Sequence, residues 1–164
     1  MKKTFSGRVW KLGDDIDTDI IIPTQFLALK SVEDMKKYAF HPLRPELADL
    51  IQPGDIIVAG KNFGCGSSRE QAPEIIAALK VGCIIAKSYA RIFYRNAFNN
   101  GLLLLENNDV YDSCNEGDAV TVDLENSQVL LDKKSFPIAS IPEDLLQMVE
   151  AGGLVAFMRK QNGK

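Results

Sequence analysis

Histidine is nearly absent: the 164 residues contain one, His41. A self-contained Ser-His-Asp hydrolase must therefore use His41 or nothing. Cysteine is scarce as well. Cys65, Cys83 and Cys114 are odd in number and far apart, which argues against a disulfide framework and suits a reducing cytoplasm. No C-x-x-C or H-x-x-x-H pair is present to begin a zinc site. Three scattered thiols also cannot form the Cys-rich motif of an iron–sulfur site, so no metal is expected on this chain. No apolar run approaches the roughly 20 residues of a membrane span. Near the start of the sequence, Lys2 and Lys3 have no apolar stretch behind them, so no secretory signal is expected. A net charge of −3, with Lys and Arg scattered, offers no electrostatic footprint for nucleic acid. If this chain takes part in catalysis, another molecule supplies part of the site.

What is present fits an ordinary globular protein: 46% apolar and 25% charged residues, with no internal repeat or low-complexity segment. The length suits one domain, 1–164, able to bury roughly 70% of its unfolded surface. Phe5–Leu12, Ile56–Ala59, Cys83–Ala86 and Leu102–Leu105 read as strands. Ala119–Leu124 and Gln128–Leu131 read as a hairpin. Helices are expected at Ser31–Tyr38, with Ser31 as N-cap, at Glu70–Lys80, closed by Gly82, and at Ser88–Asn99, with Ile92, Phe93 and Phe98 facing in. Pro142–Glu150 and Leu154–Lys160 follow, separated by Gly152-Gly153, before a frayed tail at 161–164. Strands alternating with helices predict an α/β layered domain with a mostly parallel central sheet.

Between the strand at Ile56–Ala59 and the helix after it lies Gly60-Lys61-Asn62-Phe63-Gly64-Cys65-Gly66-Ser67-Ser68-Arg69-Glu70. A strand–loop–helix junction gathers backbone N–H groups and favours anions. The stretch matches no familiar phosphate motif: it lacks the lysine of a P-loop, the third glycine of a dinucleotide fingerprint, and the glycine after serine of a nucleophile elbow. What remains is two hydroxyls beside an arginine, whose planar fork suits a carboxylate. A serine so placed can have its alkoxide stabilised and take a proton without histidine. The plainer alternative is a capping serine, a glycine turn and a surface arginine.

Three segments carry a family resemblance: Asp14-x-x-x-Thr18-Asp19-x-Ile21-x-Pro23, Gly60-x-Asn62-Phe63-Gly64-x-Gly66-Ser67-Ser68-Arg69-Glu70-x-Ala72-Pro73, and Ser88-x-Ala90-Arg91-Ile92-Phe93-Tyr94-Arg95-Asn96. Together they resemble the swivelling domain of the aconitase superfamily, in the form of the separate small subunit of isopropylmalate isomerases (3-isopropylmalate dehydratases). The resemblance covers essentially the whole chain and implies a layered β/β/α fold of the aconitase type. It implies a large-subunit partner holding a [4Fe–4S] cluster, with one iron polarising the hydroxyl of a small hydroxy-diacid substrate. It implies Ser67 as the general base, Arg69 as the grip on a substrate carboxylate and Ser68 as a neighbouring hydrogen-bonding group. Thr18 and Asp19 are implied as hydrogen-bonding groups beside the site. The implied reaction is dehydration and rehydration in leucine biosynthesis.

In this family Thr24–Lys30 corresponds to a mobile loop that selects the substrate's variable group. Leu27 and Leu29 suit an isopropyl group, while Lys30 leaves homocitrate-type triacids open beside 2,3-dimethylmalate and methylmalate-type acids. Cys65 reads as a space-filling side chain, and His41 as a loop residue. Asp14, Asp15, Asp17 and Asp19 lack the glycine and terminal glutamate of a calcium loop. Arg91 and Arg95, one turn apart, read as structural ion pairs, with an interface or ligand role as the alternative. Self-association of the isolated chain and a free-standing anion-binding module are the other readings left open.

Overall fold

Ile56–Ala59 and Cys83–Ala86 contain only apolar residues, so neither suits a sheet with one face in water; such runs belong in a sheet interior. In the computed structural model, which describes residues 3–163, every residue of both runs is buried. In chain order the elements are β1 (Thr4–Lys11), α1 (Thr18–Ile21), α2 (Val32–Met35), α3 (Leu47–Leu50), β2 (Ile56–Ala59), α4 (Gln71–Ala78), β3 (Cys83–Ala86) and α5 (Arg91–Asn99). Then come β4 (Leu104–Glu106), α6 (Val110–Ser113), β5 (Ala119–Asp123), β6 (Gln128–Leu131), β7 (Lys134–Pro137), α7 (Glu143–Ala151) and α8 (Leu154–Asn162). Short 3-10 turns occupy Thr24–Ala28 and Lys36–Tyr38.

The strands form one seven-stranded sheet in the order β4-β3-β2-β1-β5-β6-β7. Its seam is β1. Val9 to Lys11 pair in parallel with Ile56 to Val58, while Thr4 to Arg8 pair antiparallel with Asp123 to Ala119. The half carrying β4, β3 and β2 is parallel, as the alternation of strand and helix predicts. The half carrying β5, β6 and β7 is an antiparallel meander, because its short turns cannot make a parallel crossover. The α/β class holds, with the parallel part confined to the half that bears the glycine-rich loop. Buried residues from both halves form one core cluster.

Several boundaries differ from expectation for local reasons. Helix α4 ends at Ala78, and Lys80, at φ 62°, turns the chain toward β3, so Gly82 does not close the helix. Residues Ser88 to Ala90 are not helical because they are bonded to the glycine-rich loop instead, and α5 starts at Arg91. Ser31 caps α2 as expected, its hydroxyl accepting from the Asp34 N–H at 3.1 Å. Gly152 and Gly153, at φ 95° and 128°, separate α7 from α8, which runs on to Asn162 rather than fraying from Gln161. Lys164 lies outside the described residues. Helix α5 packs against α4 on one side and the α7–α8 pair on another, which fixes the wall facing the loop.

Candidate active-site cleft

The glycine-rich loop leaves β2 and is splinted on both sides by segments distant in sequence. On one side the aspartate-rich segment bonds to it. The Lys61 N–H donates to Asp14 Oδ1 at 2.7 Å, Asn62 Nδ2 to Asp15 Oδ1 at 3.1 Å, and the Asp15 N–H to the Lys61 carbonyl at 2.8 Å. Further along, the Gly64 N–H donates to the Ile16 carbonyl at 2.7 Å, and the Thr18 N–H to the Cys65 carbonyl at 2.9 Å. Thr18, only 3% exposed, also donates its hydroxyl to the Ser67 carbonyl at 2.9 Å. Asp14 thus accepts from the loop's backbone and Asp15 from the Asn62 side chain. Asp17 caps α1 by accepting from the Ile20 N–H at 2.8 Å.

On the other side, Ser88 to Ala90 run beside the loop. The Phe63 N–H donates to the Ser88 carbonyl, the Ala90 N–H to the Phe63 carbonyl, and the Asn62 N–H to Ser88 Oγ at 2.8 Å. Gly64 and Gly66, at φ 84° and 92°, turn the loop between these splints. A side chain at Gly64 would run into the Phe93 ring, so the loop sits directly on α5.

A cleft of about 220 Å³ opens between loop and helix. Thr18, Ser67, Ser68 and Arg69 line it on the loop side, and Arg91, Ile92 and Asn96 on the α5 side. Ser67 and Ser68 are exposed. Arg69 is half-buried and held: Nη1 donates to the Ile22 carbonyl at 3.0 Å, Nη2 to Thr24 Oγ1 at 3.0 Å, and Asp19 Oδ1 lies 2.6 Å from Nη2. A guanidinium has five N–H donors, so these three acceptors orient it and leave donors for a ligand. The structure thus gathers Thr18, Ser67, Ser68 and Arg69 at one cleft and pairs the exposed Asp19 with Arg69.

Leu27 and Leu29 are not on the cleft wall. Both are partly buried against the core, Leu27 within the 3-10 turn at Thr24–Ala28 and Leu29 just after it. That turn is anchored by Phe26, whose ring stacks on Tyr38 at 4.0 Å with His41 edge-on at 5.5 Å. His41 is therefore part of an aromatic cluster and does not line the cleft. Cys65 is half-buried; burial, then the charges of Asp17 and Asp15, push its thiol pKa up, which disfavours the nucleophilic thiolate.

Two expectations fail on α5. Ile92 does not face in: it is 57% exposed. Phe93 and Ala97, one turn apart, take the core face, and Ile92 with Asn96 forms the neighbouring stripe on the cleft. Arg91 and Arg95 are exposed, and among the described residues neither has an ion-pair partner. Ile92, expected in the core, is thus a wall residue beside Asn96, assigned no role from sequence, and Arg91, for which a ligand role was the alternative. The signal was available in the spacing, since Ile92 is out of step with Phe93 and Ala97.

Among the described residues no group of three or more His, Cys, Asp or Glu is placed to hold a metal ion, and no helix is long and apolar enough to cross a membrane. A family model described as the aconitase C-terminal domain matches residues 46–109. A 3-isopropylmalate dehydratase small subunit from Lachnospira eligens is 66% identical over 163 residues, covering 99% of each chain. An isopropylmalate/citramalate isomerase small subunit from Methanocaldococcus jannaschii is 41% identical over 163 residues, 98% of this chain and 97% of its own. A crystal structure of 3-isopropylmalate dehydratase from Methanocaldococcus jannaschii superposes with a TM-score of 0.90 at 37% identity, covering 97% of this chain and 95% of that one. Motifs, fold and whole-length similarity converge: the chain belongs to the family of 3-isopropylmalate dehydratase small subunits.

Proposed function

We propose that the chain, acting as a single swivelling domain over 1–164, is the small subunit of a heteromeric hydro-lyase that interconverts 2-isopropylmalate and 3-isopropylmalate in leucine biosynthesis. The observation that carries the reading is the convergence of Ser67, Ser68, Arg69 and Thr18 on one cleft. Ser67 Oγ, as the alkoxide, takes the proton from the carbon next to a carboxylate. The C–H electron pair forms the double bond as the hydroxyl leaves the neighbouring carbon. Return of the hydroxide to the carbon that lost the proton, and of the proton from Ser67 to the carbon that lost the hydroxyl, gives the isomer. Thr18 holds the loop by its bond to the Ser67 carbonyl. Arg69, pre-oriented by Asp19 and Thr24, binds a carboxylate, and Ser68 adds a hydrogen bond beside it.

The residues of this chain do not fit an iron–sulfur cluster: Cys83 and Cys114 are buried, Cys65 is half-buried in the loop, and the three do not converge. In this reading the [4Fe–4S] cluster belongs to the large subunit. The free thiols favour a cytoplasmic location. A second substrate reading has a specific basis, because a similar small subunit is named for citramalate as well as isopropylmalate. Leu27 and Leu29 are the residues proposed to meet the substrate's alkyl group, from the segment that Thr24 ties to Arg69.

The purified chain mixed with its cognate large subunit, assayed on isopropylmalate, citramalate, 2,3-dimethylmalate and homocitrate, tests the proposal. Turnover of isopropylmalate by the pair and none by this chain alone is expected. Activity of the isolated chain, or a pair that favours a triacid, would overturn it.

A further inference from the structure

The loop side of the cleft carries little net positive charge. Arg69 is its cation, but Asp19 lies 2.6 Å from the guanidinium, whose side chain is 16% exposed. Asp14, Asp15 and Asp17 stand in the same splint, and Asp17 and Asp15 add to burial in raising the Cys65 thiol pKa. A dianion approaching this wall meets an arginine that already has a carboxylate partner.

Arg91 is different. It lines the same cleft from the opposite wall, is exposed, and has no ion-pair partner among the described residues. It also borders a shallower groove with Tyr89, Tyr94 and Glu106, without an ion pair to Glu106. Local stability does not explain an arginine there: Arg91 is the first residue of α5, and a cation at a helix N-terminus opposes the helix dipole. Arg95, one turn on, is exposed but does not line the cleft.

Resting on the function proposed above, we propose that Arg91 is a substrate-binding residue that takes the second carboxylate of the diacid across the cleft from Arg69. It corrects the charge deficit of the loop wall and fixes which end of the substrate faces Ser67. The chemistry it recognises is a dianion with two carboxylates, and a substrate carrying only one loses the contact.

The test uses the assembled enzyme with Arg91→Gln, Arg91→Lys and Arg95→Gln. Loss of one charge-assisted contact predicts KM about 10- to 150-fold higher for Arg91→Gln, with kcat within about threefold and assembly unchanged. Arg91→Lys keeps charge but not the fork, so its KM falls between. Arg95→Gln leaves KM within about threefold of wild type. An unchanged KM in Arg91→Gln overturns the proposal, as does an equal rise in Arg95→Gln. Failure of Arg91→Gln to assemble with the large subunit also overturns it, by assigning Arg91 to the subunit interface. The wild-type pair is assayed first on the acid panel, so an error in the proposed reaction shows there; the Arg91 comparison is then made on whichever diacid is turned over.

Discussion

Gly64→Ala tests whether the glycine-rich loop is positioned by its seat on α5. Gly64 has φ 84°, and an added Cβ would overlap the Phe93 ring. The left-handed conformation costs an alanine roughly 1–2 kcal/mol, and the overlap in a packed site costs about 1–3 kcal/mol. Strain alone is tolerable here, since Asn62 and Lys80 both hold φ 62°. The clash is therefore the distinguishing part. The sum, about 2–5 kcal/mol, corresponds to a Tm lowered by about 4–20 °C for a chain of this size. Relief must come from moving either the Phe93 ring or the loop that carries Ser67 three residues later. A shift of about 1 Å in the loop would lower turnover of the assembled enzyme by about 100-fold. Thermal unfolding of Gly64→Ala, Phe93→Leu and the double variant gives the measurement. A smaller residue at 93 should recover part of the loss, with a coupling of about 0.5–3 kcal/mol. A Gly64→Ala protein as stable as wild type, or losses that simply add, would refute the reasoning.

Thr18→Val keeps shape but removes the hydroxyl that holds the Ser67 carbonyl; a stability loss of about 1 kcal/mol is expected, with kcat of the assembled enzyme reduced more than KM is raised. Urea unfolding and steady-state kinetics check it, and a KM-only effect would assign Thr18 to substrate contact instead of loop placement. In acid, Glu116 matters: Arg44, hydrogen-bonded to both its carboxylate oxygens, holds its pKa below the ordinary value of 4.5. A carboxylate depressed in the folded state contributes its stabilisation above the unfolded value and loses it as pH falls through the lower folded one. Stability should therefore drop as pH falls below that ordinary value, less steeply in Glu116→Gln, when urea midpoints are measured across the acid range.

The parallel half of the fold was legible because buried parallel strands are written as unbroken apolar runs. Strands β2 and β3 begin and end where those runs do. Strand β7 was not legible. Lys134–Pro137 has one inward apolar side chain, Phe136, on an edge strand that is otherwise exposed, so no alternation stands out. Its partner turn at Asp132, φ 53°, lacks the glycine that usually marks a hairpin. At the site, the loop's composition identified Ser67, Ser68 and Arg69 as a unit. It did not show that Asp19 lies on the guanidinium, because that contact spans fifty positions between two segments that only the fold brings together. Ile92 shows a further limit: hydropathy assigned it to the core, but the helix had enough apolar residues at Phe93, Ala97 and Phe98 to fill its inner face without it.

The most direct test of the central claim is Ser67→Ala in the enzyme assembled with its large subunit, followed by turnover of isopropylmalate and by co-elution of the two chains. Ser67 is exposed on the cleft wall, and its backbone bond to Thr18 does not need the hydroxyl, so folding and assembly should be intact. Loss of a general base predicts kcat lower by about 100- to 10,000-fold, with KM changed little. A Ser67→Ala enzyme that assembles and turns over at the wild-type rate would contradict the account.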